Sequence, residues 1–262
     1  MPLAAGRMPA LFVGHGSPMN AIEDNAWSRG FRSLGERLPR PSAILAISAH
    51  WYVPGTAVTA NAAPPTIHDF GGFPQPLYEM QYKAPGDPDL AARVVGLLGA
   101  HGASLSLDWG LDHGTWSVLC HLRPDADCPV LQLSIDMRLD AAAHIEIGRA
   151  LAPLRDKGVL IMGSGNVTHN LGDAFRSMRT GNTATPAWAA DFDAAVVQAL
   201  EARDMETLGG LVDSPDGRRA HPSPDHFIPL LYVAGAGGGD RIEYPITGFD
   251  LGSLSMRSVL YS

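Results

Sequence analysis

The stretch Ala43-Ile44-Leu45-Ala46-Ile47-Ser48-Ala49-His50-Trp51 decides how the rest of the chain is read, because an unbroken apolar run passes directly into a polar and aromatic segment. The run is short and partly β-branched, and Pro39 and Pro41 stand in front of it. Those features predict a strand of a parallel sheet covered on both faces, not a helix. The same grammar recurs at Ala10-Leu11-Phe12-Val13, which runs into Gly14-His15-Gly16-Ser17-Pro18. It recurs again at Val159-Leu160-Ile161-Met162, followed by Gly163-Ser164-Gly165-Asn166-Val167-Thr168-His169-Asn170. Ligands of open α/β sheets bind outside the carboxyl ends of the strands. Strands that each release an imidazole at that edge would place His15, His50 and His169 in one cleft, which is a metal-site hypothesis.

Reading outward, strand-like runs alternate with helical stripes. Glu23 to Leu38 carries Trp27, Phe31, Leu34 and Leu38 on one face before Pro39. Asp87-Pro88 caps a helix through Leu98. Helices are also expected over Ala141 to Leu154, Pro186 to Ala202 and Phe227 to Val233, the last behind the cap-like Ser223-Pro224-Asp225-His226. Strands are expected over Gly55 to Ala60, Val130 to Ile135, Ile242 to Ile246 and Leu254 to Tyr261. Asn61 to Tyr82, rich in proline, glycine and aromatics, reads as a long ordered loop, and such loops in compact domains are usually lids or binding loops. Trp109 to Trp116 reads as a second turn of that kind. The expectation is an α/β fold: one domain over 1–262 with a central, largely parallel sheet flanked by helices.

The 262 residues show no internal repeat and no linker-like stretch. A net charge of −8 with no Lys/Arg cluster argues against nucleic acid as a partner. The amino-terminal apolar stretch before Gly14 is too short for a secretory segment or a membrane span. Cys120 and Cys128 are too few for a disulfide framework and read as reduced packing residues. A cytoplasmic protein is expected, with its oligomeric state open.

The chain has ten histidines. His101 looks like a helix C-terminal cation, His121 and His144 lie on helical stripes without polar company, and His221 before Pro222 reads as inert. His15, between two glycines after a strand, and His50, at a strand end, read as metal ligands. His169 lies in a Gly-rich turn that would equally suit an anion. His113, in Asp112-His113-Gly114, reads either as a site residue or as a turn stabiliser. His226 opens a helix, with its ring either in the cleft or exposed beside the capping Asp225. His68 on the long loop is placed to meet a substrate.

Short blocks spread over nearly the whole chain resemble the class III extradiol ring-cleaving dioxygenases, in particular the 4,5-DOPA extradiol dioxygenase group. They are Gly14-His15-Gly16-Ser17-Pro18-Met19, Ser48-Ala49-His50-Trp51, Pro65 to Pro74, Asp112-His113-Gly114, Gly165-Asn166-Val167-x-His169-Asn170, His226-x-x-Pro229-Leu230-Leu231 and Gly252-Ser253-Leu254-Ser255-Met256. The resemblance implies an α/β domain with a central mixed sheet. It implies His15, His50 and His226 as metal ligands, His169 as the acid–base residue or a fourth ligand, and His113 as a contact to substrate or to the oxygen intermediate. His68, Phe70 and Trp51 are expected to meet the substrate, with Phe73 and Trp116 as further apolar wall. The expected reaction is extradiol opening of a catechol, DOPA-like or related, by dioxygen at a non-haem metal. The resemblance implies Fe(II) for activity, but relatives that cleave protocatechuate carry a glutamate where this chain has His226, and Zn(II) suits the three-histidine set as well, so the metal stays open between the two. Two rival readings remain: a zinc-dependent hydrolase on that set, and a non-catalytic interaction module like the Memo family.

Overall fold

The structure is a computed structural model and describes residues 6–262; residues 1–5, which open the stretch judged too short for a secretory segment, lie outside the described residues. The strands are β1 (Ala10–Gly14), β2 (Ala43–Val53), β3 (Ala57–Thr59), β4 (Ser104–Ser106), β5 (Val130–Asp136), β6 (Val159–Gly165), β7 (Ile242–Glu243), β8 (Phe249–Asp250), β9 (Leu254–Ser255) and β10 (Val259–Tyr261). The helices are α1 (Ala26–Arg37), α2 (Gln75–Glu79), α3 (Pro88–Leu97), α4 (His113–Leu122), α5 (Ala141–Leu151), α6 (Leu171–Thr180), α7 (Ala187–Ala202), α8 (Met205–Gly210), α9 (Pro215–Ala220) and α10 (Ile228–Gly237). The main sheet has the order β4-β3-β5-β2-β6-β1-β10-β7. Its centre, β5-β2-β6-β1, is parallel, while β3 joins β5 and β10 joins β1 antiparallel. The expected mixed, largely parallel α/β sheet is therefore present.

The unbroken apolar runs follow from cover on both faces. Phe12, Leu45, Ile47, Leu133 and Ile161 pack in one layer with α3, α5, α7 and α10. The alternate residues Leu11, Val13, Ile44, Ala46 and Met162 pack in the other layer with α1 and α4. Helix α10 is buried along its whole length, so its sequence has no polar face. It lies close on α5 because two glycines face it off reciprocally: a Cβ at Gly148 would stand 2.2 Å from the Tyr232 carbonyl oxygen, and one at Gly235 would stand 2.2 Å from that of Ile145.

Several boundaries differ from the expectation, each for a local reason. Helix α1 starts at Ala26, because Asn25 Oδ1 accepts from the Trp27 and Ser28 amides and leaves Glu23 outside. The turn expected over Trp109 to Trp116 is in fact the start of α4, whose Asp112 accepts from the Thr115 amide. Part of the long loop is helical, in α2. Helix α5 gives way to a 3-10 segment at Ala152, where Pro153 withholds an amide. The strand expected over Ile242 to Ile246 stops before Pro245. The strand expected over Leu254 to Tyr261 divides into β9 and β10, because Arg257 turns aside to pair with the Asp193 carboxylate, 3.0 Å away. Helix α6 was not assigned from sequence at all.

The reciprocal contact makes a test. Gly148→Ala should lose about 1–3 kcal/mol of unfolding free energy, since its Cβ meets backbone that cannot move aside. Gly96→Ala, in α3 with nothing within 4 Å of the added Cβ, should gain about 0.5–1 kcal/mol. Denaturant unfolding of both variants checks the opposite signs.

Candidate metal centre

The parallel register brings the strand ends together. Ser48 of β2 stands opposite Ser164 of β6, and Gly165 of β6 stands opposite Gly14 of β1, so His15 and His50 emerge at one edge. The His15 amide donates to the Gly165 carbonyl, 2.9 Å. Between Ile47 and Tyr52, β2 advances five residues while β5 advances two, from Leu133 to Ile135. That bulge turns His50 out of the pleat and toward the cleft. His226 arrives from the other side, on the 3-10 turn Pro224–His226 ahead of α10. Gly165 permits its approach: a Cβ there would lie 2.1 Å from the His226 carbonyl oxygen, which accepts from the Asn166 amide at 2.9 Å.

The ring nitrogens carry the chemistry. Ser164 Oγ donates its only proton to the Gly114 carbonyl, 2.5 Å, so at 2.9 Å from His15 Nδ1 it accepts. His15 is thereby fixed with the proton on Nδ1 and a bare lone pair on Nε2. His50 Nδ1 faces Asp69 Oδ2 at 3.4 Å, and His226 Nδ1 donates to Asp225 Oδ2 at 2.5 Å. His15 and His226 therefore direct Nδ1 at an oxygen acceptor and leave Nε2 unprotonated. The Nε2 atoms of His15 and His50 stand 3.3 Å apart, and the buried Nε2 of His226 has no hydrogen-bond partner among the described residues. The bare lone pair of His15 Nε2 faces His50 Nε2 at a distance that a shared proton or a shared cation satisfies. Nitrogens each roughly 2.0–2.1 Å from one ion at a tetrahedral angle stand about 3.3 Å apart, so the donor set fits a metal.

The ring-centroid separations are 5.1 Å for His15 and His50, 5.2 Å for His15 and His226, and 5.0 Å for His50 and His226. The ring nitrogens that lie within 4.8 Å of one another are those of His15, His50 and His113, a set that does not include His226. The spacing of His113 differs, 3.8 Å from His50 and 5.9 Å from His15. Its Nδ1 stands 2.9 Å from Asp69 Oδ2, and its amide donates to Asp69 Oδ1 at 2.8 Å. One carboxylate on the long loop thus reaches both His50 and His113. His169 lies flat on His226, with centroids 3.4 Å apart and planes 4° apart.

Burial, and then the neighbouring imidazoles, hold His15 and His226 well below the usual imidazole range. Burial also brings His50 down to about 3 and His169 to about 4. Four neutral rings at neutral pH are four potential lone-pair donors. Burial pushes the Asp69 carboxyl up, but hydrogen bonding from His113 and the proximity of both imidazoles outweigh it and hold the group low, so it stays an anion.

The cluster opens on a cavity of about 470 Å³, lined by His15, His50, His113, His169 and His226 together with Phe70 and Phe73. His68 and Trp51 are not brought to its wall. His68 Nε2 sits 3.0 Å from the Met80 carbonyl oxygen, tying the loop to itself, and Trp51 stacks on Trp109 at 5.6 Å. Trp116 is fully buried behind the wall, with Nε1 donating to the Ile67 carbonyl. His121 and His144 meet the Asn20 carbonyl and the Tyr232 hydroxyl, and His221 meets the Val167 carbonyl beneath the His169 loop. The sequence reading missed Asp69 as the group shared by two histidines, and missed the apolar side of α6: Leu171, Phe175 and Met178, at spacings of four and three, were a legible signal.

Comparison with known proteins agrees with this geometry. Residues 9–254 match the family described as the catalytic LigB subunit of aromatic ring-opening dioxygenase. The chain is 49% identical to a protein of Escherichia coli K12 named 4,5-DOPA dioxygenase extradiol, over 98% of this chain and 96% of that one. It is 40% identical to a Beta vulgaris protein of the same name, over 96% and 95% of the two chains. The crystal structure of an uncharacterized protein from Escherichia coli K12 superposes with a TM-score of 0.84 at 43% identity, covering 98% of this chain and 100% of that one. With an imidazole cluster at the strand ends and these matches along nearly its whole length, the chain belongs to the LigB family of aromatic ring-opening dioxygenases and is an extradiol ring-cleaving enzyme.

Proposed function

We propose that the chain opens the ring of a DOPA-like catechol beside its diol, with His15, His50 and His226 holding Fe(II). The observation that carries this is the bare Nε2 of His15, its Nδ1 committed to Ser164, held 3.3 Å from the Nε2 of His50. The nearly equal spacing of His226 from both favours it as third donor over His113. When bound, a redox-active ion with open positions supplies coordination for the two catechol oxygens and activation of dioxygen. Zn(II) suits the same nitrogens but lacks that redox chemistry.

The chain's own residues do the rest. His169, neutral and stacked on His226, accepts the proton of a catechol hydroxyl and later returns it. His113, its amide bonded to Asp69 Oδ1 and its Nδ1 beside the same carboxylate, presents its ring to the substrate. Phe70 and Phe73 wall the ring and keep water away. The carbon–carbon bond beside the diol breaks, both atoms of dioxygen enter the product, and a muconic semialdehyde leaves. Among the described residues no helix is long and apolar enough to cross a membrane. The two cysteines are free, with burial raising Cys120 to about 12 and Cys128 to about 11; such inert thiols suit the cytoplasm, where we place the enzyme.

Protein reconstituted with Fe(II) under argon and then given air should consume one dioxygen per catechol and form a yellow ring-fission product. An oxygen electrode and a spectrophotometer read both, and equal product under argon, or full activity with zinc alone, rejects the reading. His226→Ala should lose most bound metal while His101→Ala keeps it, as elemental analysis after gel filtration will show. A folded His226→Ala protein with stoichiometric metal would pass the third position to His113 or His169. His169→Ala should keep its metal and lose roughly a hundred- to ten-thousand-fold in kcat.

A further inference from the structure

A base that takes a proton and gives it back needs its ring nitrogens free, so its place has to be set through the backbone that carries it. His169 is in that position. Its loop, 166–170, runs between two fixed edges. On one side Thr168 Oγ1 donates to the Ser253 carbonyl at 2.7 Å, and the Ser255 amide donates to the Thr168 carbonyl at 3.2 Å, which ties the loop to Ser253 and β9. The other edge is the end of α9. There the His169 amide donates to the Ala220 carbonyl at 3.0 Å, and Asn170 Nδ2 donates to the Arg219 carbonyl at 2.7 Å.

His221 completes this second edge. Its Nε2 stands 2.8 Å from the Val167 carbonyl oxygen, which only accepts, so the ring carries its proton on Nε2 and donates it there. The Val167 carbonyl takes no backbone donor among the described residues. Nδ1 is then a bare acceptor, and it is buried with no hydrogen-bond partner among the described residues. The side chain is 4% exposed and sits against Phe192 and Phe227, with ring centroids 5.8 and 5.4 Å away. Burial brings the imidazole down to about 4, so the donor is neutral at neutral pH. A setting this apolar would suit a phenylalanine, which carries no nitrogen to be orphaned. What the imidazole adds is one donor, and that donor goes to the loop just ahead of His169.

We propose that His221 is a positioning residue for ring cleavage: by donating to the Val167 carbonyl it fixes the loop so that His169 lies over His226 at the metal centre. This rests on the reading of His169 as the acid–base group. His221 does not line the cavity and acts only through the loop. Without its donor the loop keeps the bonds to Ala220 and Arg219 and stays folded, but the His169 ring is no longer held in one place.

The test compares His221→Phe with His221→Gln, whose amide nitrogen reaches about as far as Nε2 and donates to the same carbonyl. In the iron-loaded enzyme, with DOPA as substrate and oxygen uptake as the readout, His221→Phe should keep its metal and its KM. Its kcat should fall about tenfold to a hundredfold, since a displacement of about 1 Å costs about a hundredfold. His221→Gln should recover most of that loss. Added to His169→Ala, the phenylalanine should cost nothing further, because a residue that works through His169 has no effect once His169 is gone. A second readout needs neither metal nor turnover: in the metal-free protein, hydrogen exchange followed by mass spectrometry should quicken over 166–170 in His221→Phe and stay unchanged over β5. An unchanged kcat, a glutamine variant no better than the phenylalanine one, an equal loss with and without His169, or unchanged exchange over the loop overturns the proposal. If His169→Ala itself keeps its kcat, the acid–base reading falls, and the exchange rates alone then uphold or overturn the hold of His221 on the loop.

Discussion

Two imidazole nitrogens held 3.3 Å apart, the Nε2 atoms of His15 and His50, are the constraint on which the rest of the site depends. Neither ring would rest there unless its other nitrogen were committed to the framework. The commitments come from distant parts of the chain: Ser164 on β6 for His15, Asp69 on the long loop for His50, and Asp225 on the turn before α10 for His226. Partners of this kind fix the tautomer and orientation of a ligating imidazole and raise its basicity. Ser164 can play its part only because the parallel register of β2, β6 and β1 sets it between the two strand ends.

The loop from Asn61 to Tyr82 gains its order from the same economy of donors. Its prolines withhold amides, so beside a short backbone bridge to Leu111 it is fastened through side chains. Trp116 Nε1 donates to the Ile67 carbonyl, the Tyr82 amide donates to Thr66 Oγ1, and Tyr82 Oη donates to the Arg123 carbonyl. Those bonds hold Asp69 where it meets His50 and His113 together. His68, one residue away, therefore belongs to the loop's own fastening and not to the cavity.

The sequence made the sheet and two of the clustered histidines legible through one signal, the unbroken apolar run that ends in a histidine. Such a run requires cover on both faces, and cover on both faces implies parallel strands whose ends share an edge. His226 carried no comparable signal. It stands on a 3-10 turn whose direction is set by how α10 packs on β6, and that packing depends on Gly163 and Gly165 admitting the backbone of Pro229 and His226. Asp69 was equally hidden, because its role comes from a contact across 44 residues of chain to the His113 amide. The start of α4 was overlooked for a different reason. Gly114 suggested a turn, yet it lies in the first turn of a helix already capped by Asp112 and packed against β2.

Charge supplies the last step. Three neutral imidazoles leave the full +2 on a bound ion, whereas a carboxylate in direct contact would leave +1. This chain sets its carboxylates one step back, as Asp69 and Asp225, where they steady the rings without neutralising the ion. The ion alone can then balance a catecholate, and no arginine or lysine is needed in the wall, where none stands.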